Sequence, residues 1–194
     1  MKERRSTLQP TYFDAIYAAD PDPWKFASSP YEQDKYRLTL EALPQSRYRS
    51  ALEVGCSIGV LTRALASRCD RLLAIDAARA PLAHARRRCA AQPAVHFAQM
   101  FAPAQWPEGL FDLILLSEVV YYLALRDVAR VAGRIKKSLA PNGDIVLVHW
   151  TGPTNYPLSA DQAVGLLIEE MRGVCVVIRS ERFGFFRLDI MTRA

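Results

Sequence analysis

The sequence predicts an α/β fold: a seven-stranded sheet, mostly parallel, with helices on both faces and an antiparallel strand at its C-terminal end. Three observations carry this. Strand-like apolar runs alternate with helix-length segments from residue 50 to residue 150, the pattern of a parallel sheet covered on both sides. Leu113 to Leu116 is an unbroken apolar run, as a strand buried on both faces requires. The final stretch holds two strand-like runs joined by a tight turn, so the last strand should run against the others.

In order, the alternation predicts strands over 50–54, 72–76, 95–98 and 111–117, with helices over 60–67 and 80–89. A helix over 127–139 then leads through Asn142-Gly143 into a strand over 145–150. The closing hairpin pairs 174–180 with 185–191 around the turn 181–184. Ahead of the sheet, residues 1–30 interleave Tyr12, Phe13, Tyr17, Trp24 and Phe26 with Asp20-Pro21-Asp22-Pro23. The prolines oppose helix, which predicts an aromatic-rich arm or loop, removable without loss of the fold. Tyr31, Lys35, Leu38 and Ala42 have helical spacing, giving a helix over 30–43 closed by Pro44. The expected organisation is one domain over 1–194, with residues 1–43 as arm and lid helix.

With 51% apolar and 23% charged residues, the 194-residue chain has ordinary globular composition. Its formal charge of +5 draws on Lys2-Glu3-Arg4-Arg5 and on Arg86-Arg87-Arg88. A solvated tail and an outer helix face account for both more simply than nucleic-acid binding. Cys56, Cys69, Cys89 and Cys175 form no C-x-x-C pair and have no zinc spacing, so no metal is expected. No secretory leader pattern opens the chain, and no apolar run approaches membrane-spanning length. A soluble, cytoplasmic protein is the expectation, with its oligomeric state left open.

The strongest motif is Glu53-Val-Gly55-Cys56-Ser57-Ile58-Gly59, leaving the first strand and entering a helix. Glycines there allow a sharp turn and close approach to a ligand. A dinucleotide loop would carry glycine where Ser57 stands, and a phosphate loop would end in Gly-Lys-Ser/Thr. Glu53 at the strand end would repel a pyrophosphate, whereas it suits a ligand bearing an ammonium and a sulfonium. Asp76 closes the second strand twenty-one residues after Gly55, where an acid can accept hydrogen bonds from both ribose hydroxyls. Capping of the next helix is the alternative for Asp76 alone, but it leaves the pair unexplained. Together they point to S-adenosylmethionine.

At these residues the chain resembles class I methyltransferases, whose fold is Rossmann-like. Glu53–Thr62 is similar to their first motif, and the run from Asp76 to Arg86 to their second. Phe111–Val119 resembles the fourth-strand motif, and Leu139–Asp144 the turn before strand five. More narrowly, Asp20–Phe26, Pro30-Tyr31-Glu32, Ser117–Leu123 and His149-Trp150 resemble the nodulation protein S family. That resemblance implies N-methylation of the amino group of a deacetylated sugar, a step of oligosaccharide biosynthesis. Two departures stand out: Ser57 replaces a common glycine, and Gln99-Met100-Phe101 stands where many relatives carry an acid for the adenine amine. Met100 and Phe101 become the expected adenine contacts, with core packing as their alternative.

Ligands of open α/β sheets bind at the carboxyl ends of the strands, which here deliver Ser117, Glu118, His149 and Trp150. Ser117 is expected beside the donor. Glu118 would orient the acceptor amine and His149 take its proton. The bland alternatives are a helix-start acid for Glu118 and a satisfied strand-end residue for His149. Tyr17, Trp24, Tyr31 and Tyr36 would close over the cationic donor as an aromatic lid, unless Trp24 merely anchors the arm. The fourth-strand motif lacks the Asn/Asp-Pro-Pro-aromatic signature of amino-methylating DNA enzymes, and the chain has no Pro-Cys pair, which argues against nucleic acid. Two other functions stay open: an O-methyltransferase of small molecules, and a non-catalytic adenosyl-binding module.

Overall fold

The structure is a computed structural model that describes residues 6–194. The charged cluster at residues 2–5 lies outside the described residues. The seven strands follow the order β3-β2-β1-β4-β5-β7-β6. Two compact units share them: residues 9–101, and residues 102–194 with residues 6–8.

In the 9–101 unit, α1 (Pro10–Ala19) and α2 (Pro30–Ala42) precede β1 (Ala51–Val54), α3 (Val60–Leu65), β2 (Leu72–Asp76), α4 (Arg79–Arg88) and β3 (Val95–Gln99). β1 lies parallel to β2, and β2 to β3, with Ala51 beside Leu72 and Leu72 beside Val95. Helix α1 corrects the expected loop. Pro10 occupies its first turn, where a missing N–H costs nothing, and the breaking prolines lie downstream of its end at Asp20. Breaking does occur from Asp20 onward: the Asp22 carboxylate accepts the N–H groups of Phe26 (2.8 Å) and Ala27 (3.0 Å). Helix α2 starts as predicted, with Pro30 in its first turn and the Ser29 side chain accepting the Glu32 N–H.

The other unit carries β4 (Phe111–Ser117), α5 (Leu125–Ser138), β5 (Leu139–Trp150), α6 (Ala160–Glu170), β6 (Cys175–Phe183) and β7 (Phe186–Arg193). β4 and β5 are parallel; β7 runs antiparallel to both β5 and β6, as the hairpin predicted. Gly184 (φ +56°) and Phe185 make the hairpin loop. β5 begins at Leu139, ahead of the expected start, and its pairing with β4 shifts register between Phe111 and Leu113. Helix α6 was not foreseen, although Ser159 and Gln162 form a reciprocal capping box at its start. Ile114, Leu115, Val146, Leu147, Leu188 and Ile190 are fully buried.

Thr7 and Leu8 belong to this second unit and correct the idea of a removable arm. The Leu8 N–H donates to the Tyr122 carbonyl (2.9 Å). The Thr7 hydroxyl accepts the Ala124 N–H (2.9 Å) and donates to Asp127 at the start of α5. Both residues are buried, as is Tyr17. No described helix is long and apolar enough to cross a membrane.

Candidate functional site

The loop after β1 is a run of left-handed residues: Gly55 (φ +84°), Ser57 (φ +49°) and Gly59 (φ +77°). Gly55 and Cys56 both donate their N–H groups to the Ile75 carbonyl, at 2.8 and 3.1 Å. Ser57 donates its N–H to Asp76 Oδ2 (2.8 Å), and Ala78 donates to Asp76 Oδ1 (2.9 Å). Asp76 therefore ties the loops after β1 and β2 together, which simple capping of α4 would not do. The Ala77 N–H also bonds this carboxylate, and its remaining acceptor capacity is open to a ribose hydroxyl. Burial, partly opposed by those N–H bonds, raises its carboxyl to about 6.

Two residues of this loop act differently from expectation. A Cβ on Gly59 would fall 2.9 Å from both Cα and Cβ of Ala85. A close approach to α4 therefore requires glycine here. The Cys56 side chain lies in a core cluster with Ala74, Leu82 and Phe97, and burial holds its thiol protonated. Any part it takes in ligand binding falls to its backbone. Glu53 is 1% exposed, and its Oε2 has no hydrogen-bond partner among the described residues. Burial pushes its carboxyl up to about 7; the nearby Asp76 charge adds to this, and the Thr62 hydroxyl opposes it. A buried carboxylate oxygen in want of a donor fits an incoming ammonium.

Ser57 explains the usual glycine by departing from it: the left-handed conformation costs a serine about 1–2 kcal/mol more than glycine. Its hydroxyl pairs with that of Tyr17 on α1. Tyr17 packs with Ile58 and Ala78, and Phe13, Trp24, Phe26 and Val60 cover the cluster. Trp24 meets Tyr17 edge-on and stacks on Phe26, each at 5.6 Å between ring centroids. Trp24 is thus packed into this aromatic cluster. Tyr31 and Tyr36 already face a cation of the chain itself: Lys35 Nζ lies 5.5 and 6.0 Å from their centroids. Lys35 is 2% exposed and pairs with Glu32 at 2.9 Å. Met100 donates its N–H to the Asp76 carbonyl (2.9 Å), while Gln99 Nε2 turns back to the Ala77 carbonyl (3.1 Å). Met100 and Phe101 are half-buried.

A second cluster stands in the 102–194 unit. Ser117 is buried at the end of β4, and Glu118 follows with φ +57°, an uncommon conformation for a non-glycine residue. Glu118 Oε2 accepts the Trp150 N–H (2.9 Å) and the Tyr121 hydroxyl. Its carboxylate is thus fixed by β5 and the following turn, and is not a helix-start acid. Tyr156, which sequence reasoning missed, stacks on Tyr121 at 5.1 Å and meets Tyr122 edge-on at 4.7 Å. Phe185, also missed, stacks on Trp150 at 5.2 Å. Tyr156 lies in a segment without apolar periodicity, and Phe185 falls at the edge of the predicted hairpin strand, where nothing in the pattern points to Trp150.

His149, the expected general base, has its ring nitrogen engaged by the backbone. It is fully buried, and its Nε2 accepts the Val120 N–H at 3.0 Å. That lone pair is already used, so the imidazole holds the turn carrying Tyr121 and is not poised to take a proton there.

The strand order and the glycine loop after β1 are those of the Rossmann-like methyltransferase fold. The solved structure of N-methyltransferase NodS from Bradyrhizobium japonicum WM9, in complex with S-adenosyl-L-homocysteine, shares this fold. It aligns with a TM-score of 0.82 at 24% identity, covering 94% of this chain and 97% of that one. The chain belongs to the nodulation protein S (NodS) family, whose model matches residues 15–148. It is 38% identical over 133 residues to nodulation protein S of Rhizobium tropici, which covers 66% of this chain and 55% of the relative. With nodulation protein S of Sinorhizobium fredii (strain NGR234) it shares 34% over 132 residues, 66% of this chain and 60% of the relative. The chain thus spans less than two thirds of the length of these relatives.

Proposed function

We propose that this chain is an S-adenosylmethionine-dependent N-methyltransferase whose acceptor is the amino group of a small polar molecule, specifically a deacetylated amino sugar. The observation that carries the reading is the carboxylate pair flanking the glycine loop: Glu53 with a buried, unsatisfied oxygen, and Asp76 locked to Ser57 and Ala78. Glu53 would hold the donor's ammonium and Asp76 its ribose hydroxyls. Met100 and Phe101 would border the adenine. The aromatic segment from α1 to α2 would cover the loop, with Tyr17, Trp24 and Phe26 packed on Ile58 and Val60.

The bound donor would supply a methyl group on a positive sulfur, which leaves as a neutral thioether when an amine lone pair displaces it. The protein's part is to hold and orient. Glu118, clamped by the Trp150 N–H and the Tyr121 hydroxyl, is suited to attract an ammonium and direct it. The acceptor's proton then leaves to Glu118 or to water; the buried His149 is not the group we assign to it. Four free cysteines are in keeping with a reducing, cytoplasmic setting.

The test is transfer of labelled methyl from S-adenosylmethionine to glucosamine and its partly deacetylated oligomers. Label on nitrogen supports the proposal. Label on hydroxyl acceptors alone, or donor binding without turnover on any acceptor, refutes it.

A further inference from the structure

The N-terminal helix reaches the glycine loop through one polar contact inside an otherwise apolar cluster. The hydroxyls of Tyr17 and Ser57 are hydrogen-bonded, and both residues are buried, at 7% and 8% exposure. Ser57 is also the residue whose N–H meets Asp76, and it does so from a left-handed conformation that serine adopts only at a cost. Something must hold it there. The loop backbone alone offers its neighbours' bonds to Ile75, which fix Gly55 and Cys56 but not Ser57.

We propose that Tyr17 is a donor-positioning residue: its hydroxyl pins the Ser57 side chain, keeping the Ser57 N–H on Asp76 and the carboxylate aimed for the ribose. The chain of contacts is unbroken, from the α1 hydroxyl through Ser57 to Asp76 Oδ2. Burial keeps the Tyr17 hydroxyl protonated, and the neighbouring Asp76 charge pushes the same way, so the contact persists across physiological pH. The ring is fixed as well, by its edge-on contact with Trp24 and its packing on Ile58 and Ala78. Tyr17 touches neither donor nor acceptor in this scheme. Its effect on affinity passes through the conformation of one loop residue.

The inference rests on the donor-site reading above, and the experiment separates the two. Affinity for S-adenosyl-L-homocysteine is measured by calorimetry for the wild type, Tyr17→Phe, Ser57→Ala, Ser57→Gly and the Tyr17→Phe/Ser57→Gly double variant. Ligand-free melting temperatures are recorded alongside. Tyr17→Phe should weaken binding roughly three- to tenfold, as loss of one buried hydrogen bond implies. Ser57→Ala and Ser57→Gly both delete the hydroxyl, but only glycine is at ease in the left-handed conformation. Ser57→Ala should therefore bind roughly three- to tenfold more weakly than Ser57→Gly. Within the Ser57→Gly background, adding Tyr17→Phe should cost less than about twofold, because nothing remains for the hydroxyl to hold.

Equal losses from Tyr17→Phe in both backgrounds would overturn the proposal, as would Ser57→Ala binding as well as Ser57→Gly. A fall in melting temperature that is the same in both backgrounds, with affinity untouched, would assign Tyr17 to packing alone and also overturn it. A wild type that does not bind the ligand would instead refute the donor-site reading.

Discussion

Replacing His149 with alanine should unfold the protein more readily and should not act as the loss of a base would. The imidazole is fully buried between β5 and the turn after β4, and its Nε2 receives the Val120 N–H. Removing it strands that buried N–H, which costs about 1–3 kcal/mol. It also leaves a void where the ring met Tyr121 edge-on at 5.2 Å, worth about 2 kcal/mol or more. A combined loss of about 3–5 kcal/mol lowers the midpoint of a chain this size by roughly 6–20 °C. Thermal melting followed by circular dichroism reads this directly. Turnover of the surviving folded fraction at low temperature should fall far less than stability does. A His149→Ala protein that melts within a degree or two of wild type, yet has lost its turnover, would refute the structural assignment and restore the base.

Three further outcomes follow from the loop and its carboxylates. Gly59→Ala must place a Cβ 2.9 Å from Ala85 Cα while holding φ +77°, so it should cost about 2–5 kcal/mol, seen as an early melt; an unchanged midpoint would contradict the packing account. Glu53 has a folded-state value of about 7 against an ordinary 4.5, so the folded chain binds the extra proton and the Glu53 contribution to stability is lost as pH rises between those values. Glu53→Gln, which mimics the protonated form, should gain on the wild type by up to about 3 kcal/mol from pH 4.5 to 7.5; a difference that does not vary with pH would sink this reading. Glu118→Gln should raise the acceptor's KM more than it lowers kcat, and wild-type kinetics on an amine acceptor would remove Glu118 from the site.

Most of the sheet was legible because its strands declare themselves locally. Leu113 to Leu116 can only be buried, Leu72–Asp76 begins with its apolar run and ends one residue past it, and the hairpin turns at Gly184. The sharp loop after β1 was equally plain, since glycines at 55 and 59 mark the positions that take left-handed φ. What escaped depends on partners distant in sequence. Nothing near Gly59 says that Ala85 is the residue it must avoid, and nothing near His149 says which lone pair the Val120 N–H will occupy. Helix α1 was lost because its buried face is essentially Tyr17 alone, so no apolar stripe shows. Helix α6 did announce itself, through Ser159 and Gln162, but that capping signal lies outside the strand–helix alternation.

The most direct test of the donor site is calorimetry of S-adenosyl-L-homocysteine with wild type and Asp76→Ala. Both Asp76 oxygens are held in place by backbone N–H groups, so losing the carboxylate should remove charge-assisted bonds to the ribose worth about 1.5–3 kcal/mol. The account predicts saturable binding by the wild type and roughly ten- to 150-fold weaker binding by the variant. Equal affinities would contradict it.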